Sequence, residues 1–226
     1  MTGRQPFVLY ECGLARQGCA ASCSTLDDLL RAVKTESDSV IEHHMMRCVL
    51  EDHFELHEFP NDLARWCWDS LGDHVLGEQL GLVDPYRHAS IASLRESLAS
   101  MITDRVDHQE VPLVCRPGLE LQLMRSRLIA YPTDESFATP VALAEALPSF
   151  SLASIFFHVH EARRRSDNRT DDFSQWLEEC DSDPGIVASI RGIDFYFLNL
   201  HQLRDELQRV FHRFMPDAPS VTGAAA

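Results

Sequence analysis

Two apolar runs, FVLY at Phe7–Tyr10 and LELQLM at Leu119–Met124, punctuate a chain whose other hydrophobic positions mostly recur at helical spacing. Each run predicts a short strand followed by an irregular loop, and each loop ends at a threonine that opens an amphipathic helix. In TLDDLLRAV, Leu26, Leu29, Leu30 and Val33 share one face after Thr25; TPVALAEAL follows Thr139 with proline in its first turn. A helix from Ser39 (SVIEHHMMRC) or Ser154 (SIFFHVHEAR) comes next, then helices carrying Trp66 and Trp176, and long closing helices in SIASLRESLASMI and LHQLRDELQRVF.

The two series match in order. Ser39, Val40 and His43 fall on Ser154, Ile155 and His158; Asp62 and Trp66 fall on Asp172 and Trp176. Asp84 and Tyr86 meet Asp194 and Tyr196, and Arg95 meets Arg204. An ordered series of this kind is the mark of an internal repeat. The predicted organisation is an N-terminal tail (1–6), repeat 1 (7–102), a linker (103–120), repeat 2 (121–214) and a flexible tail (215–226). The expected fold is mainly α with two or more short β-strands, as pseudo-twofold helical repeats sharing one core. Pairing FVLY with LQLM would cover both strand edges.

Composition narrows the partners. Thirty-five acidic against 20 basic side chains give a formal charge of −15, which repels a phosphate backbone or an anionic membrane. ARRRSDNR is the largest basic cluster. No apolar run is long enough to span a bilayer, and the N-terminus lacks the h-region of a signal peptide. Seven cysteines without framework spacing favour a reducing, cytoplasmic setting.

The Ser-aliphatic-aromatic-aromatic-His helix, kept in SIFFHVH, and the Pro-Asn-Asp-Phe start with Trp four residues after Asp, almost intact in FPNDLARW, where Leu63 replaces the Phe, resemble an uncharacterised prokaryotic family of duplicated helical repeats. The resemblance covers most of both copies. It implies a fold and no activity.

The chemistry concentrates in a few places. His43 and His158 are each expected to be buried and bonded to the carboxylate, Asp62 or Asp172, that caps the following helix. Trp66 and Trp176 are expected in the core, and Arg95 and Arg204 in ion pairs with Asp84 and Asp194. A metal reading competes for the first copy. His44 and Cys48 lie at i, i+4, His53 and His57 repeat that spacing, and zinc, iron or copper suits such ligands. Cys12, Cys19 and Cys23 are a possible thiol cluster in one loop. Walker, glycine-rich and Gly-x-Ser-x-Gly motifs are absent. The expectation is therefore a non-catalytic protein that binds another protein, assisting or regulating an enzyme, with no cofactor. The alternative is a metal-dependent enzyme or sensor.

Overall fold

The computed structural model describes residues 5–50 and 59–216. The fold is mainly helical with a two-stranded antiparallel sheet. The strands are far longer than the apolar runs: β1 is Phe7–Cys23 and β2 is Leu121–Phe137, 17 residues each. Beyond the first few residues most side chains are exposed, Ile129 and Tyr131 among them, so no apolar alternation announces a strand.

Three cross-strand bonds fix the register. Arg125 Nε donates to Gln17 Oε1 at 3.0 Å, Tyr131 OH to Glu11 Oε2 at 3.2 Å, and Thr133 Oγ1 to the Leu9 carbonyl at 3.0 Å. FVLY therefore lies opposite residues 132–135, and LQLM opposite residues 18–21. The expected FVLY–LQLM pairing is not formed, because each apolar run begins its own strand and antiparallel strands meet start to end.

The chain divides into two compact units whose limits fall inside the strands. A contiguous unit comprises Leu14–Leu128, and a composite unit comprises Met1–Gly13 with Ile129–Ala226. This division departs from the sequential limits 7–102 and 121–214, since the start of β1 belongs with the C-terminal helices.

In the contiguous unit, α1 (Leu26–Thr35) opens with a capping box between Thr25 and Asp28. Helix α2 (Asp38–Glu42) starts at Ser37 and widens into a π turn at His43–Arg47. Helix α3 (Asp62–Trp66) is capped by Asn61, whose side chain accepts from Ala64 N–H at 2.9 Å. Its own π turn ends at Gly72, where φ of +77° suits a residue without Cβ. Helices α4 (His74–Gly81) and α5 (Ile91–Asp107) complete the unit, with α5 packed on α1 and α4. Leu29, Leu76, Leu80, Leu94, Leu98 and Ile102 are fully buried in its core.

The composite unit contains α6 (Pro140–Ala146, capped by Thr139) and α7 (Leu152–Phe156, capped by Ser151). A π turn at Phe157–Glu161 leads into α8 (Ala162–Arg165). Helix α9 (Asp172–Glu179) is capped by Asp171, and α10 (Pro184–Arg191) follows. Helix α11 (Leu200–Phe214) opens with an Asn199–Gln202 capping box. Phe150, Phe156, Phe173 and Phe211 are the largest fully buried side chains here.

The helix starts correct several expected caps. Ser37 and Ser151 begin the histidine helices rather than Ser39 and Ser154, and Asn61 and Asp171 cap the tryptophan helices, with Asp62 and Asp172 one residue inside. Arg95 and Arg204 do not reach Asp84 and Asp194. Arg95 pairs with Asp38 at 2.6 Å and donates to the Val33 carbonyl, while Arg204 donates to the Phe150 carbonyl at 3.1 Å. Carbonyls near the end of a helix are natural acceptors for a guanidinium.

Candidate functional site: histidine, aspartate and tryptophan around a strand edge

In the contiguous unit the π turn presents His44 to Asp62 and to the start of β2. His44 Nδ1 lies 2.8 Å from Asp62 Oδ2, and the Met124 N–H donates to His44 Nε2 at 3.0 Å. An acceptor nitrogen carries no proton, so Nδ1 holds the proton and donates to the carboxylate. Both ring nitrogens are engaged. Trp66 Nε1 donates to the Leu119 carbonyl at 2.9 Å, just before β2 begins. Helix and strand are thereby joined at two backbone groups, one carbonyl and one amide.

Asp62 is 5% exposed and also accepts from Arg65 Nη2 at 2.7 Å. Burial pushes its carboxyl up, but the His44 hydrogen bond and the Arg65 charge outweigh that and hold it below the usual carboxylate range.

The composite unit has the same arrangement. His158 Nδ1 lies 2.7 Å from Asp172 Oδ2, the Tyr10 N–H donates to His158 Nε2 at 2.9 Å, and Trp176 Nε1 donates to the Gln5 carbonyl at 3.0 Å. Phe7 packs against the His158 ring at 4.7 Å between centroids and stacks on Phe173 at 5.2 Å. Burial pushes the His158 imidazolium down, more than the Asp172 carboxylate pulls it up, so the ring is neutral near pH 7. Arg165 pairs with the same Asp172 oxygen and lies over the Phe157 ring, 4.3 Å from its centroid.

The equivalent of His158 is thus His44 and not His43. His43 points elsewhere, with Nδ1 3.1 Å from Ser126 Oγ. With two adjacent histidines, the sequence match slipped by one residue. The slip is legible afterwards: Thr25 and Thr139, Ser37 and Ser151, and the strand starts Phe7 and Leu121 keep one constant interval, which also separates His44 from His158.

The metal candidates are only partly brought together. Donor atoms of His43, His44 and Asp62 lie within 4.8 Å of one another, all buried. Cys48 is buried too, but its thiol faces the His44 carbonyl at 3.3 Å. His53 and His57 fall outside the described residues. An ion at His44 would have to displace either the Met124 N–H or the Asp62 carboxylate, each of which already uses a lone pair or proton of the ring.

Cys12, Cys19 and Cys23 all sit on β1 instead of a loop. At about 3.3 Å per strand residue, Cys19 and Cys23 are spaced by roughly 13 Å and Cys12 is farther still, so one ion cannot join them. Burial, reinforced by Glu161 and Glu11, pushes the Cys12 thiol up to about 12. Burial and Asp28 do the same to Cys23, also to about 12. Burial raises Cys19 as well. Thiols held in this way are poor nucleophiles at neutral pH.

Beside His158, a cleft of about 510 Å³ opens between the start of β1 and α9. Asp172, Gln175, Trp176 and Glu179 form one stripe of α9 along it, facing Val8 and Tyr10 of the strand. Sequence patterning gave no sign of this cleft, since it depends on which helices receive FVLY.

Among curated proteins none matches the chain. The chain is similar in structure to OrfY from Thermoproteus tenax, with a TM-score of 0.77 and 24% identity over 95% of this chain and 97% of that one. At that identity the likeness concerns the fold alone. A family model described as "Family of unknown function (DUF5752)" matches residues 4–212. With the match spanning nearly the whole chain, including both histidine–aspartate–tryptophan sets, the protein belongs to the DUF5752 family.

Proposed function

We propose that this protein is a non-catalytic binding protein, an accessory that assists or regulates a partner enzyme, built from two copies of one ancestral repeat. The observation that carries this reading is the full engagement of the best candidate groups. In His44 and His158 one nitrogen donates to a carboxylate and the other accepts a strand N–H. A general base needs a free lone pair within reach of substrate, and these rings have none to spare. The imidazole, carboxylate and indole act together as a clamp on the strand. The recurrence of that clamp, with His44 and His158 at the interval of the strand starts and helix caps and the aspartates and tryptophans at a slightly shorter one, supports the duplication.

The partner is a protein in this reading, not nucleic acid or membrane. Arg163, Arg164 and Arg165 of the basic cluster pair with Asp171, Glu161 and Asp172, and no helix among the described residues is long and apolar enough to cross a membrane. Free cysteines favour a reducing, cytoplasmic setting. Affinity isolation of the full chain from native extract is expected to recover one protein at near-stoichiometric amount. Recovery of nothing at stoichiometry would defeat the proposal.

The second reading, a metal-dependent enzyme or sensor, rests on the His43–His44–Asp62 cluster. Elemental analysis of untagged protein decides it. The strand-clamp account predicts less than about a tenth of an equivalent of zinc, iron or copper; near-stoichiometric metal lost in His44→Gln would establish the rival.

A further inference from the structure

The cleft of the composite unit already holds one cation of its own. The Arg165 guanidinium lies over the Phe157 ring at 4.3 Å, pairs with Asp172 and donates to the Phe157 carbonyl at 3.3 Å. A planar cation between a ring face, a carboxylate and a carbonyl is a complete recognition geometry for guanidinium. It is not locked away: the Arg165 side chain is 37% exposed.

The rest of the lining continues the same chemistry. Tyr10 stacks on Phe157 at 5.3 Å between centroids. Trp176 forms part of the wall, and Glu179, one turn beyond it on α9, is exposed and has no ion pair or hydrogen bond among the described residues. Gln175 is likewise exposed on this stripe. Asp172 and Glu179 outnumber the single Arg165, and the chain as a whole carries −15. Both features attract positive charge.

The strand wall adds a backbone component. Tyr10 N–H points to His158, away from β2. By strand alternation the N–H and carbonyl of Val8 turn to the same side, and Val8 lines the cleft with 38% exposure. An extended chain laid along this edge meets the Val8 amide and carbonyl, which face away from β2 and have no partner among the described residues, before the His158 bond closes the edge.

We propose that the cleft between the start of β1 and α9 docks an arginine or lysine side chain carried on an extended segment of a partner protein, in competition with Arg165. This rests on the binding-protein reading and names the chemistry of the partner. The cation enters between the aromatic wall and the carboxylates Asp172 and Glu179, and the segment's backbone pairs at Val8. The corresponding place in the contiguous unit is built differently. His43 stands where Phe157 does, and Arg65 of the same helix holds Asp62.

The test uses the full-length protein and three blocked probes: acetyl-Val-Arg-Val-amide, the same peptide with norleucine for arginine, and acetyl-arginine-methylamide. Binding is followed by calorimetry and by the indole N–H resonance of Trp176. The arginine tripeptide is expected to shift that resonance and to bind at least tenfold tighter than the norleucine peptide. It should also bind tighter than the single arginine, which separates a chain segment from a free cation. Arg165→Met removes the competing guanidinium and should tighten binding about fivefold or more, whereas Glu179→Gln should weaken it by a similar factor. Both positions are exposed, and circular dichroism confirms that each variant is folded. Equal binding of the arginine and norleucine peptides, or unchanged affinity in Arg165→Met, would overturn the proposal. Failure of the affinity isolation would count against the partner reading while leaving this peptide result standing, so the two failures are distinct.

Discussion

Replacing His44 by alanine is expected to destabilise the protein by about 3 kcal/mol, the range found when one member of a buried pair is removed. The loss leaves two buried groups short of a partner. Asp62 keeps only Arg65, with its side chain 7% exposed, and the Met124 N–H loses its acceptor. His158→Ala should cost less, about 2 kcal/mol, because Asp172 is 23% exposed and retains Arg165. Urea unfolding of the purified variants measures both. His43→Ala separates the clamp from its neighbour: losing the bond to Ser126 is expected to cost about 1 kcal/mol plus packing. A ranking with His43 above His44 would restore the original match of His43 with His158.

Acidification should destabilise the protein before most of its carboxylates are protonated. His160 is fully buried, stacked on Phe156 at 5.1 Å and set edge-on to Phe195 at 5.0 Å. Burial, with the charge of Arg163, pushes its pKa down from 6.5 to about 3, and burial pushes His158 down as well. The unfolded chain therefore binds protons below pH 6.5 that the folded chain refuses. Stability is complete above pH 6.5 and falls as pH drops towards the folded values. From His160 alone the loss is about 2 kcal/mol by pH 5, at about 1.4 kcal/mol per pH unit. A denaturation series from pH 8 to pH 4.5 should show this slope, and His160→Phe should flatten it. A flat profile in the parent protein would contradict the buried neutral rings.

Much of the helical architecture is written in local pattern. Thr25, Thr139 and the apolar faces behind them show where α1 and α6 start, and the closing helices α5 and α11 carry the long periodicity that marks them. The aspartates and tryptophans of the clamp were also legible, because buried polar groups recur in pairs. The strands were not. Residues such as Gly13, Arg16, Gln17 and Gly18 are exposed on β1, so neither face imposes an apolar alternation, and propensity favours a loop. The assignment of FVLY to the C-terminal helices was equally hidden. It follows from Tyr10 and His158 meeting across most of the chain length, and no local pattern encodes such a contact. The histidine slip has a simpler cause: SVIEHH offers two imidazoles and SDS offers two serine caps, so register was degenerate by a residue until the strand amide chose one ring.

The tautomeric state of the two clamp histidines separates a strand clamp from a reactive site. Long-range nitrogen–proton correlation spectra of uniformly labelled protein at pH 7.5 resolve protonated from unprotonated ring nitrogens. The account predicts that His44 and His158 are both neutral with the proton on Nδ1. Each Nε2 should also show through-hydrogen-bond coupling, to the Met124 and the Tyr10 amide respectively. Protons on Nε2 in either ring, or a shift of both rings on adding one equivalent of zinc, would contradict it and return the histidines to chemistry.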